Sequence, residues 1–302
     1  SHDRVSRALS EADLLVDALV SSASSKGSAV VVGLDPDPRY LPEGVLESAS
    51  TTVEAVREFC LGILEATAPE VAAVKLQSAY YERLGSRGIE VYAELLKAAD
   101  ALGLQTIADV KRGDIGSVAA AYAEAHLSVY GATSVTVNPY MGTDAVVPFL
   151  DEVRRLGRGG GAFVLVATSN PSAEEFQNSS TPPLYKIAAR LVADLGRAGT
   201  SGYLDAGAVV GATRPEVGRR VRELLPRTLF LAPGYGAQEA GARGARALLD
   251  ASGAGVLVNS SRGILHAFKE PAFNRAGNDY KSAAREAARK MREDLAAAGV
   301  RW

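Results

Sequence analysis

Short apolar runs rich in Val, Ile and Leu recur along the chain at residues 29–35, 71–77, 104–111, 133–138, 162–168, 206–211, 229–233 and 255–260. Each ends in polar residues or in Gly and Pro, the pattern of a parallel strand buried on both faces. The stretches between them repeat apolar positions at helical spacing, as in 90–102, 117–130, 184–197 and 238–250, while 4–20 and 281–298 add terminal helices. Strands alternating with helices predict repeated β-α units around one parallel sheet. Eight such units read as a closed (β/α)8 TIM barrel with an extra N-terminal helix, a single domain over residues 1–302. The alternative, an open doubly wound sheet, calls for a Gly-rich phosphate turn after its first strand. Gly33-Leu34-Asp35-Pro36-Asp37 stands there instead. The loosest stretches, 157–161 and 177–183, read as loops at opposite ends of the barrel.

Composition narrows the partners. Hydrophobic residues at 47% and charged residues at 23% predict a large buried core rather than disorder. A net charge of -2 with no long basic run argues against a nucleic acid or an anionic membrane held by bulk electrostatics, so any anion site is local. A lone cysteine, Cys60, leaves no internal disulfide, reads as a core residue and makes a reducing, cytoplasmic compartment the default. No run approaches the roughly 20 apolar residues of a bilayer span, and no charged-then-apolar leader opens the sequence. His2, His126 and His266 lie far apart, with no second ligand in zinc register, so no metal is expected. A G-x-S-x-G nucleophile elbow is also missing.

Catalytic side chains of such barrels sit where the strands end, at the C-terminal face. Three adjacent strand ends carry charge here. Asp35 closes the first, Lys75 lies near the end of the second, and the third runs into Asp109-Val110-Lys111-Arg112-Gly113-Asp114-Ile115. Asp109 and Lys111 are two apart, which places them on one face of a strand, and the alternation makes that face the inner one. Carboxylates flanking each lysine keep it cationic. Such lysines can stabilise a developing carbanion and then protonate it, while a fixed carboxylate disfavours a bound substrate carboxylate. Two like charges about 4 Å apart repel by roughly 4 kcal/mol at an effective dielectric near 20, against barrier reductions of about 20 kcal/mol in demanding enzymes. Cationic stabilisation therefore has to supply most of the effect. A buried ion-pair network that only fixes barrel register is the structural alternative.

The segment Asp109-Val110-Lys111-Arg112-Gly113-Asp114-Ile115-Gly116 is similar to the signature of orotidine 5′-monophosphate decarboxylases, in a form found in a bacterial branch, and the likeness spans nearly the whole chain. That resemblance implies a cofactor-free enzyme converting orotidine 5′-monophosphate (OMP) to UMP. Lys75, Asp109, Lys111 and Asp114 would form its charged tetrad, with Lys111 the proton donor to C6 of the pyrimidine, and Asp35 would bind ribose hydroxyls. It further implies an obligate homodimer in which Asp114 and Ile115 reach into the neighbouring subunit's site. Val118 departs from the family, whose members commonly carry a Thr there that meets the neighbour's ribose.

Barrels of this kind often hold phosphate between the loops after strands 7 and 8, on backbone N–H groups that glycine lets approach closely. Those loops are Pro233-Gly234-Tyr235-Gly236-Ala237-Gln238 and Ser260-Ser261-Arg262-Gly263-Ile264. Arg262 offers a fork for phosphate oxygens, and the glycine-bracketed segment before Gln238 has the composition of a mobile lid. The resemblance assigns Gln238 and Arg262 to the phosphate, with Pro233 and Gly263 beside them. After strand 5, Thr168-Ser169-Asn170-Pro171 reads either as an Asn-Pro turn or as a reader of the pyrimidine edge, and the resemblance favours Ser169 on the base. Two other functions stay open: a Mg2+-dependent sugar-phosphate decarboxylase or aldolase of a related barrel, and a catalytically silent nucleotide-binding dimer. A Glu of the metal-dependent branch would stand where this chain has Lys75.

Overall fold

A computed structural model describes residues 15–235, 241–274 and 279–302. Its eight strands are β1 (Val30–Leu34), β2 (Ala73–Gln77), β3 (Gln105–Arg112), β4 (Ser134–Val137), β5 (Ala162–Ala167), β6 (Leu204–Val210), β7 (Thr228–Ala232) and β8 (Val256–Ser260). They pair in parallel and in chain order, and β8 returns to β1 with Val30 opposite Val258, so the sheet closes into a barrel. The closed sheet bears out the (β/α)8 expectation, and every predicted run contains most of one strand.

Two apolar cores hold the barrel. The larger lies between the outward faces of the strands and the helices, and includes Val74 and Leu76 of β2 together with Val56, Phe59 and Ile63 of the helix Thr52–Thr67. Thr51 starts that helix by accepting the N–H of Glu54, and Glu54 reaches back to the N–H of Ser50, a reciprocal cap on two otherwise unpaired donors. The smaller core fills the interior with Val31, Ala73, Ile107, Phe163, Leu229 and Leu257. Phe163 fits because Gly207 faces it: a Cβ on Gly207 would stand 2.4 Å from its ring. Val16, Leu19 and Ala23 close the bottom of this inner core, which explains the extra N-terminal helix.

Some helix boundaries differ from the sequence pattern. The N-terminal helix runs from Asp17 to Lys26 rather than over 4–20; Gly27 at φ 55° ends it, and residues 1–14 lie outside the described residues. The expected helix 117–130 begins as an α-helix, Gly116–Ala123, and continues as a wider π-helical stretch, Glu124–Val129. The expected helix 238–250 is described only from Gly241, as a five-residue α-turn and a 3-10 turn, Arg246–Leu248; glycines at 241 and 244 disfavour a longer helix. Cys60 is buried in the outer core, as expected. Among the described residues no helix is long and apolar enough to cross a membrane.

Candidate active site

The C-terminal ends of the strands open into a cleft of 330 Å³. Positions two apart on β2 and β3 put Ala73, Lys75 and Gln77, and Ile107 and Asp109, toward the barrel interior, apolar at the bottom and polar at the mouth. Lys75 is buried, its Nζ 2.7 Å from Asp109 Oδ2 and 3.7 Å from Asp35 Oδ1. Lys111 Nζ lies 2.5 Å from Asp109 Oδ1; its side chain is 43% exposed and, unlike Lys75 and Asp109, does not itself line the cleft. Asp109 is thus the hinge of a Lys75–Asp109–Lys111 chain. Its Oδ2 also accepts from Gln77 at 3.1 Å and its Oδ1 from the Thr136 hydroxyl at 2.9 Å.

Burial works against the Lys75 ammonium, but the charges of Asp35 and Asp109 outweigh it and raise its pKa above the ordinary lysine value. Burial works against the Asp109 carboxylate too, and the charges of Lys75 and Lys111 outweigh it, holding its pKa well below the usual carboxylate range. At neutral pH Lys75 is therefore a cation and Asp109 an anion.

Simple strand alternation does not put Lys111 beside Asp109. Ala108 pairs with Val135 and Arg112 with Val137, so four steps on β3 match two on β4, and β3 bulges between them. Within the bulge Lys111 takes φ 47°, the one non-glycine residue at positive φ among those described. That conformation costs on the order of 1–3 kcal/mol and concentrates at functional sites. The expected pairing of Asp109 with Lys111 is therefore present, but for a different reason.

Asp35, Ser169, Pro233 and Arg262 line the same cleft. Arg262 opens the turn after β8, and Gly234 at φ 99° turns the chain after β7 beside it. Gly211 lets the Ser169 loop close over β6, because a Cβ there would stand 2.8 Å from Ser169 Cβ. A guanidinium and the buried Lys75–Asp109 ion pair thus face one opening, with Lys111 joined to that pair through Asp109.

The described geometry agrees with what the chain is similar to. The model of the orotidine 5′-phosphate decarboxylase / HUMPS family matches residues 28–273. The chain belongs to this family. Orotidine 5′-phosphate decarboxylase of Rhodopirellula baltica is 40% identical over 287 residues, covering 89% of this chain and 94% of the relative. The Clostridium novyi protein of the same name is 38% identical, covering 93% and 98%. The structure of Leishmania donovani OMP decarboxylase superimposes with a TM-score of 0.72 at 32% identity, covering 93% of this chain and 97% of that one.

Not every residue suggested by the family motif joins the cleft. Asp114 sits in the loop after β3, where its carboxylate accepts the N–H of Ile115 at 2.7 Å, and neither residue lines the opening. Ile115 is 55% exposed. Gly263 follows Arg262 without lining the cleft, and Gln238 lies outside the described residues.

Conversely, four polar groups at or just behind the cleft were not singled out from the sequence: Gln77, Thr136, Asn259 and Ser261. Ser261 donates to Asp35 Oδ2 at 2.6 Å, and Gly33 makes room for it, since a Cβ there would stand 2.0 Å from Ser261 Oγ. Asp35 Oδ1 and Asn259 Oδ1 are buried acceptors to which no described residue donates a hydrogen bond. Gln77 and Asn259 occupy inward positions whose polarity was the available clue; Thr136 read only as a β-branched strand former.

Proposed function

We propose that this chain decarboxylates OMP to UMP and CO2 as the last step of pyrimidine nucleotide synthesis, in the cytoplasm, as a single-domain homodimer that needs no cofactor. The observation that carries this reading is the Lys75–Asp109–Lys111 chain at the mouth of a cleft that Arg262 also lines. Arg262, with Pro233, Gly263 and Gln238, would hold the phosphate, Ser169 the base, and the open acceptors Asp35 Oδ1 and Asn259 Oδ1 the ribose hydroxyls. The bond from C6 to its carboxylate breaks heterolytically, CO2 departs, and the electron pair stays on C6. Lys111 then transfers a proton to C6 and regains one from solvent. Both ammonium groups are in place before the charge develops, so little reorganisation is needed at the barrier. Asp114 and Ile115, which do not line their own cleft, fit a role in the neighbouring subunit's site, where Asp114 would complete the tetrad.

The HUMPS branch of the family keeps the Mg2+-dependent reading in view. A divalent ion wants converging carboxylate oxygens. Here the Lys75 ammonium occupies the place between Asp35 and Asp109 where such an ion would sit, which favours the cofactor-free chemistry.

Following OMP absorbance in excess chelator tests the proposal. Parent protein is expected to consume OMP, and Lys111→Ala to lose turnover by about a thousandfold or more while keeping its circular dichroism spectrum and UMP affinity. Turnover lost on chelation would shift the reading to the metal-dependent branch. UMP binding without OMP consumption would leave a silent nucleotide-binding dimer, and unchanged turnover in Lys111→Ala would remove the mechanism.

A further inference from the structure

The bulge in β3 needs something to hold it. Where four residues of one strand oppose two of the next, the ladder cannot serve every backbone group, and a buried N–H without an acceptor is costly. The N–H groups of Val110 and Lys111 are the ones displaced. Both donate to one atom, the hydroxyl oxygen of Thr136 on β4, each at 3.0 Å. The same hydroxyl sends its single proton to Asp109 Oδ1 at 2.9 Å. A hydroxyl has one proton to give and two lone pairs to offer, so Thr136 Oγ1 is fully used, and it is buried. Asp109 Oδ1 is also the oxygen that takes Lys111 Nζ.

Thr136 therefore grips both ends of the Lys111 residue: the backbone N–H at its root, and the carboxylate that anchors its ammonium. We propose that Thr136 is a positioning residue for the proton donor, holding Lys111 in its left-handed conformation and aiming its ammonium through Asp109. The inference rests on Lys111 being the proton donor, but the geometry it predicts can be read without turnover. Thr136 is buried and does not line the cleft. Its effect is on where Lys111 stands, which bears on the rate of proton delivery and not on the phosphate grip across the cleft.

A carrier of position with no binding role predicts a split between kcat and KM. Thr136→Val keeps the shape and removes the hydroxyl. It should lower kcat about 100-fold, the scale of an ångström misplacement of a reacting group, with KM and UMP affinity within about threefold of the parent. Thr136→Ser keeps the hydroxyl and should stay within about threefold of the parent in both constants. A crystal structure of Thr136→Val should show residue 111 off its positive φ or its ammonium off Asp109. If the Val variant does not fold, Thr136→Ala, which leaves space for a water, is read by the same measurements.

Four results would overturn the proposal: parent-like kcat in a folded variant lacking the hydroxyl, a Ser variant as impaired as Val, KM rising in step with the loss of kcat, or a variant structure with Lys111 unmoved. Parent protein inactive on OMP would instead sink the decarboxylase reading alone, since the crystallographic comparison still decides what Thr136 does.

Discussion

Asp109 and His126 show how burial is resolved in opposite ways at single residues. Asp109 stays charged because two ammonium groups meet it. His126, on the π-helical stretch, makes no ion pair among the described residues. Its Nδ1 lies 3.2 Å from the Tyr92 hydroxyl and its ring packs on Tyr92 and Tyr130. Burial lowers its pKa to about 4, helped by the charge of Arg112 and opposed by Glu82. The folded value lies below the unfolded one near 6.5, so on acidification the unfolded chain takes up its proton first. The stability contributed by neutral His126 is complete above about pH 6.5 and is lost as pH falls toward about 4, by up to about 3 kcal/mol. Urea midpoints taken at pH 7 and near pH 4.5 are expected to fall less in His126→Gln than in the parent. Equal losses would show that His126 does not drive this acid limb. His126 read from sequence only as a helical histidine, because its neighbours come from another helix and from beyond its own turn.

Helices and strands were legible where periodicity was strong, and illegible where contacts across elements decided the outcome. Inward positions at β2 and β3 announced Lys75 and Asp109, since charge at an interior strand end is rare without purpose. The bulge that places Lys111 depends on the register between β3 and β4, which no single strand encodes. Arg222 is a second such case. It lies in the last turn of the helix Pro215–Leu224, where a basic residue reads as a solvated C-terminal charge. Instead it is buried, stacked 3.6 Å over Phe230, and donates to the carbonyls of Leu225, Thr228, Leu248 and Gly255. Burial lowers its pKa to about 10, which leaves it cationic at neutral pH. This fork ties a helix end to the segments entering β7 and β8, at the end of the barrel opposite the cleft. Arg222→Met should cost about 3 kcal/mol or more in urea unfolding, because hydrogen bonds from a charged donor are lost together. Turnover per folded molecule should not change, since the N-terminal face of such barrels serves stability. A loss of kcat in the folded variant would contradict that division.

One barrel lines its cleft with Lys75 and Asp109, holds Lys111 on Asp109 and keeps Asp114 outside, so under the proposed function the homodimer would be the working unit. Exposed apolar side chains gather on the loops after β3 and β4 and on the first turn of the helix Gly116–Ala123: Ile115, Val118, Tyr140 and Met141. Those loops touch, because Gly113 lies against the Asn138 carbonyl with no room for a Cβ. A two-fold dimer through that surface would bring each Asp114 toward its partner's cleft. Val118 offers no hydroxyl to a neighbouring ribose, so ribose binding in such a shared site would rest on Asp35 and Asn259. The arrangement has a consequence that separate sites cannot imitate. Lys111→Ala and Asp114→Ala homodimers should each be nearly inactive, having one defect in every site. A hybrid dimer has one site with both defects and one with neither. After subunit exchange at equal concentrations about half the dimers are hybrids, and activity should rise to about a quarter of the parent value. Hybrids demonstrated by mass spectrometry without any gain in turnover, or a fully active monomer in sedimentation, would mean that each barrel completes its own site.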